Sequence, residues 1–182
     1  MALIKLNNQS LSAVTSAGLP SGSVLQVVTA EKTDTESIDV TATTTFTDIT
    51  DLSLSITPVS TTSRIFLLGK ISYSGGGYIS YFSFRFLRDS TAVGVGDTDG
   101  SRTPANSGFL QSQSQDNGSI ITLPLQAIDS PASTSALTYK IQFQQQFGSG
   151  SQTVYINRST SDPDAAGGQR HISMLTAMEI AG

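Results

Sequence analysis

For acid–base work this chain has one histidine, three glutamates and eleven aspartates, and it contains no cysteine. A Ser-His-Asp triad would have to be built on His171, and serine and aspartate are so common here that finding them close by would prove little. His171 follows Arg170 in a patterned segment and points away from its apolar side, so a surface or interface histidine is the expectation. Glycoside hydrolysis needs two carboxylates at a set separation. Glu31 and Glu36 fall in a polar connector and Glu179 in the last strand, which leaves the close pairs Asp97/Asp99 and Asp162/Asp164, both in glycine-containing loops. Asp97-Thr98-Asp99-Gly100 has the oxygen atoms that calcium wants but no bidentate glutamate at the spacing of a calcium loop. Gly94-Val95-Gly96 lacks the third glycine and the following helix of a phosphate-binding turn. Neither an enzyme, nor a metal site, nor a cofactor is expected.

Binding chemistry has better material. Tyr78, Tyr81 and Tyr155 lie on the polar side of their strands or beside loops, where an aromatic face stacks on sugars or on partner side chains. Subunit packing is the expected use. The candidates for a glycan contact are Tyr78, Asp97, Asp99, Arg102, Asp162 and Asp164.

These loops need strands to hold them, and period-two alternation supplies many. Leu52, Leu54 and Ile56 alternate with Ser53, Ser55 and Thr57 up to Pro58. Arg64 to Tyr73 is nearly continuously apolar, so both of its faces should be covered. After the glycines at 75–77 come Phe82, Phe84 and Phe86, three aromatics on one face and the expected centre of the core. Strands are also expected at 24–29, 93–95, 120–128, 139–147 and around 154–156, with a loop at 97–118 that carries one short strand at Phe109-Leu110, a loop at 162–168 and a turn at 129–135. The last strand, 171–181, places Ile172, Met174, Thr176, Met178 and Ile180 on one face. A terminal strand so apolar should lie inside a sheet or against another subunit.

Roughly eight to ten short strands without a competing helix predict an all-β chain: an antiparallel β-sandwich, jelly-roll-like, over residues 23–182. Residues 1–22 read as a short N-terminal arm. Leu3, Ile4, Leu6, Leu11 and Val14 are its candidate attachment residues, before Gly18 and Pro20 break the pattern.

Only 13% of the residues are charged, about half the usual share, while 37% are apolar and patterned, which argues for a folded domain. A net charge of −4 with ten scattered basic residues argues against a nucleic-acid partner. No apolar run reaches the length of a membrane span, and the apolar start at Met1–Leu6 is shorter than a signal-peptide core. The absence of cysteine suits assembly in a reducing cytoplasm. Strand faces opposite the core carry Ser, Thr, Gln and Tyr in place of Lys and Glu, and uncharged polar faces suit a partly wet subunit interface.

Four segments together carry a resemblance: MALIKLNNQSLSAVTSAGLPSGSVLQVV at the start, RFLRDSTAVGVGD in the middle, then TVYINRSTSDPD and the closing SMLTAMEIAG. They resemble virion structural proteins of tailed phages, especially those of cyanobacteria and other aquatic bacteria (cyanophage-like). The resemblance is weakest at 97–118. It implies a β-sandwich that trimerises, used either as a capsid-decorating cement protein or as the distal knob of a tail fibre or tailspike. It carries over no catalytic residue.

A single domain with an arm and no coiled coil or repeat to form a shaft favours the capsid-decorating role over the fibre role. The expected partners are two further copies of the chain, the major capsid protein and, weakly, a host-surface glycan, with no nucleic acid and no membrane insertion. The expected place is the virion surface. Tyr155, Leu175, Met178 and Ile180 are the candidates for the trimer interface. The alternative is a receptor-binding knob recognising host glycan.

Overall fold

In the computed structural model, residues 19–41, 45–75, 80–111, 118–146 and 151–182 are described. Among them eleven strands form in chain order: β1 (Val24–Lys32), β2 (Glu36–Thr41), β3 (Thr47–Ile56), β4 (Arg64–Gly75), β5 (Ser80–Arg88), β6 (Thr91–Val93), β7 (Ser107–Gln111), β8 (Ile121–Asp129), β9 (Leu137–Gln146), β10 (Ser151–Ile156) and β11 (Ser173–Ile180). No helix occurs among the described residues. The fold is all-β, as the alternation predicts.

Two sheets face each other, and every strand pair is antiparallel. The six-stranded sheet runs β1-β11-β4-β10-β2, with β8 on the other edge of β4. The five-stranded sheet runs β3-β9-β5-β6, with β7 also on β5. From β3 to β5, and again from β7 to β10, successive strands cross between the sheets. Side chains from both layers therefore close one interior.

Phe82, Phe84 and Phe86 lie at its centre, each at most 1% exposed. The Tyr73 ring from the opposite sheet sits 5.5 Å from Phe82 and 5.3 Å from Phe84, in tilted contacts. Each such ring contributes roughly 1.5–3 kcal/mol by leaving water. Burial pushes the Tyr73 phenol far above its ordinary pKa, so the group stays neutral.

Three expectations need correcting. The connector expected around Glu31 and Glu36 is largely strand: Glu31 lies in β1, and Glu36 opens β2, which pairs with β10. The last strand begins at Ser173, so His171 stands outside it. Leu175, expected at a subunit contact, is fully buried in this chain's own core. Alternation explains the last point, because a residue three positions from Met178 points to the opposite face. β11 does lie inside its sheet, between β1 and β4.

Candidate functional site

The outer face of the six-stranded sheet carries the apolar residues of β4 and β11 that the core does not take. On β4 the core side takes Ile65, Leu67, Ile71 and Tyr73, all at 0% exposure, which leaves Phe66 and Leu68 half-buried on the other side. On β11 the core side takes Ser173, Leu175, Ala177 and Glu179, and the outer side takes Met174, Thr176, Met178 and Ile180. Strand register then lines up Val27, Met178, Phe66 and Ile128 across β1, β11, β4 and β8. The row is about 15 Å wide at the usual strand spacing. Its end members are the most open, Val27 at 54% and Ile128 at 60%. The next row is Thr29, Thr176, Leu68 and Gln126, and the one after it Glu31, Met174, Lys70 and Pro124. The cover expected over both faces of β4 is complete on the core face; on the outer face it is present at Ser72 and Ser74, both at 0% exposure, and only partial at Phe66 and Leu68.

Of the four interface candidates, Met178, Ile180 and Tyr155 share this outer face, and Leu175 does not. Tyr155 sits toward the other end, opposite Ser74, with the Arg158 guanidinium 3.9 Å above its ring. The attachment candidates Leu3, Ile4, Leu6, Leu11 and Val14 lie outside the described residues, as does Tyr78.

The loop candidates separate into two places. Asp99 pairs with Arg102 in the loop after β6, with both side chains 75% exposed, and Asp97 lies exposed beside them. Asp162 belongs to the β10–β11 connection, where Arg170 donates to it at 2.9 Å and Arg158 lies 3.7 Å away; Asp164 is exposed nearby. The His171 ring meets Gln169 Oε1 at 3.3 Å, while its backbone N donates to Asn157 O. Three carboxylates do approach one point, those of Asp34, Glu36 and Asp51, but they surround the Nζ of Lys32. Burial opposes the charge on Lys32; the hydrogen bond to Asp34 and the charges of Glu36 and Asp34 outweigh it and hold the ammonium above its ordinary pKa.

Asn157 is a key residue that the alternation pattern hides. It reads as the polar partner of Ile156, yet it is fully buried with a positive φ of 63°. Its Nδ2 donates to Lys32 O and Asp34 O, both at 2.8 Å, and its Oδ1 accepts from Ser173 Oγ at 2.8 Å. Its backbone N donates to Ser72 O. One residue thereby ties the β1–β2 turn to β11 through its side chain and to β4 through its backbone. Asparagine suits this role because it tolerates the left-handed conformation and offers both donors and an acceptor.

The loop after β6 is pinned from inside. Asn106 Nδ2 donates to Gly94 O at 2.8 Å and to Gln126 O at 2.7 Å, and Asn106 N donates to Phe84 O. Gly94 has a φ of 62°, and a Cβ there would come within 2.3 Å of the Ala127 Cβ. Gly94→Val is therefore expected to destabilise the fold by roughly 1–3 kcal/mol through strain and overlap. A thermal midpoint within a degree of the parent protein's would refute this account of the loop.

No protein-family model matches the sequence, and no curated protein matches it significantly. Solved structures similar to the fold include particles of infectious bursal disease virus. The D431N mutant VP2 protein in T=1 particles is 14% identical with a TM-score of 0.45, over 100% of this chain and 41% of that one. The Gx strain structure is 14% identical with a TM-score of 0.44, and the VP2 subviral particle 12% identical with a TM-score of 0.44; each is covered over 43% of its length by all of this chain. The chain thus spans about two fifths of the length of the proteins it resembles.

Proposed function

We propose that this chain is a virion structural protein that works as a homotrimer decorating a capsid, with the outer face of the six-stranded sheet as its contact between copies. The observation that carries the reading is the in-register apolar row Val27, Met178, Phe66 and Ile128, which a single chain leaves partly in water. A second copy is the occupant that the charges favour. Glu31 and Lys70 stand on either side of Met174, so copies packed by this face can each offer the other an opposite charge at the rim. The four resembling segments support the virion role, and closing SMLTAMEIAG is β11 itself with its two flanking residues.

In this role each trimer bridges neighbouring capsomers. Modest contacts per subunit then add up, because after the first contact the rest are intramolecular. Residues 1–22 are the proposed foot on the major capsid protein, and adhesion to host glycan is a secondary property. Cryo-electron microscopy of the virion, or immunogold labelling of it, is the test. Density on the capsid lattice is the expected result. Density confined to the tail would overturn the decorating role in favour of the receptor-binding knob.

A further inference from the structure

The outer face of the five-stranded sheet holds a second feature, independent of the contact face. Thr45 and Phe46 on one side, and the loop from Val95 to Pro104 on the other, enclose an open groove of about 690 Å³ over Arg85 and Gln146. That volume is within the range of small-molecule sites, ~300–1,000 Å³. The pinning of the loop by Asn106, together with the Gly96 N to Ala105 O hydrogen bond, shapes the groove in advance.

Arg85 at its floor is half-buried. Its Nε donates to Gln142 Oε1 at 2.9 Å, and its guanidinium carbon lies 3.9 Å from the centre of the Phe46 ring. Among the described residues its terminal nitrogens have no hydrogen-bond partner, and no carboxylate pairs with it. The acid in register with it across β9, Asp48, is already occupied: Lys140 Nζ donates to one oxygen at 2.8 Å and Gln142 Nε2 to the other at 2.6 Å. The hydrogen bond from Lys140, against a smaller opposing effect of burial, keeps the Asp48 carboxyl below its ordinary pKa. At the rim, Arg102 is neutralised by Asp99. The groove therefore has a cation at its floor with no counter-ion and a balanced pair at its edge.

The geometry points to this groove as a binding site for an acidic saccharide, its carboxylate seated on the terminal nitrogens of Arg85 and its ring against Phe46 and the hydroxyls of Thr98, Ser101 and Thr103. One fixed guanidinium matches one carboxylate in a bidentate fork. Short hydroxyls and the Gln146 amide, which donates to Thr103 Oγ1 at 3.0 Å, match sugar hydroxyls. A polyphosphate chain would need a row of cations, where the groove offers one without a counter-ion.

The test is calorimetric titration of the full-length protein with a trigalacturonate, with the neutral galactose trisaccharide and with inorganic sulfate. Trigalacturonate is expected to bind, and the neutral trisaccharide to bind roughly 10- to 100-fold more weakly, the usual worth of a hydrogen-bonded charge. Arg85→Gln should produce the same loss. Should that variant fail to fold by circular dichroism, Ser101→Trp at the exposed rim replaces it, and loss of binding is again expected. Equal binding of the neutral sugar, equal binding of sulfate alone, no binding of trigalacturonate, or full binding by the variant would each overturn the site. The groove and the proposed contact face lie on different sheets, so this experiment and virion labelling can fail separately.

Discussion

Asp129→Ala is expected to destabilise the fold by roughly 2–4 kcal/mol, among the largest single effects in the molecule. Asp129 ends β8 in one sheet, and its partners come from the other. Arg88 Nη1 on β5 donates to both carboxylate oxygens, at 2.8 and 2.7 Å, and the Tyr139 hydroxyl on β9 donates to Oδ2 at 2.7 Å. Burial, and then this carboxylate, push the Tyr139 phenol far above its ordinary pKa, so it serves as a donor throughout the accessible range. Removing Asp129 leaves a buried hydroxyl without an acceptor and a guanidinium without its counter-charge. Arg88 keeps 21% of its side chain exposed, so water screens part of the loss and the cost stays below that of a fully enclosed pair. Tyr139→Phe, which removes only a donor, should cost about 1 kcal/mol. The double variant should cost less than the sum, since both changes break one network. Urea denaturation at a single protein concentration measures all three, and an additive double variant would show that the three groups do not act together.

The sandwich was legible because its signal is local. A strand with Leu52, Leu54 and Ile56 between serines has only one way to lie on a core, and β5, with its phenylalanines, likewise. What escaped was where a strand offers two plausible faces. On β11 the outer set, Met174, Thr176, Met178 and Ile180, is the more apolar, yet the inner set contains Ser173 and Glu179. That choice works only through distant partners. Glu179 accepts from Gln26 Nε2 at 2.5 Å and from the Val59 backbone N at 2.7 Å, and Ser173 is held by Asn157 and Ser72. None of these pairings has a signature within a strand-length window. β2 escaped for the same reason: Glu36, Ser37 and Asp39 look like connector, but their acceptors are met from elsewhere, by Lys32, Arg158 and Thr153. The candidate binding residues suffered more. Arg102 was legible as a loop cation, while Arg85, the groove's unpaired one, reads in sequence only as the polar alternate between two phenylalanines.

The inverted choice on β11 also sets the second large expectation. For the homotrimer proposed above, Met178→Asp should leave a folded chain and abolish self-association, taking the mass by light scattering from three times 19.1 kDa to one. The carboxylate would sit at the middle of the apolar row, between Val27 and Phe66, in surroundings that association makes dry. Desolvating an unpaired charge there costs several kcal/mol, roughly 3 or more, which weakens assembly over a hundredfold. In the separated chain the same side chain faces water on an outer sheet face, so far-ultraviolet circular dichroism should not change. Leu175→Asp supplies the contrast. Its neighbours are the enclosed interior, with 0% exposure, so the same substitution three residues away should unfold the chain. Val27→Asp and Ile128→Asp, at the open ends of the row, should dissociate the assembly without unfolding it. If Met178→Asp unfolds the chain as Leu175→Asp does, the face has been assigned the wrong way round; if all three row variants keep the full mass, copies meet through some other surface.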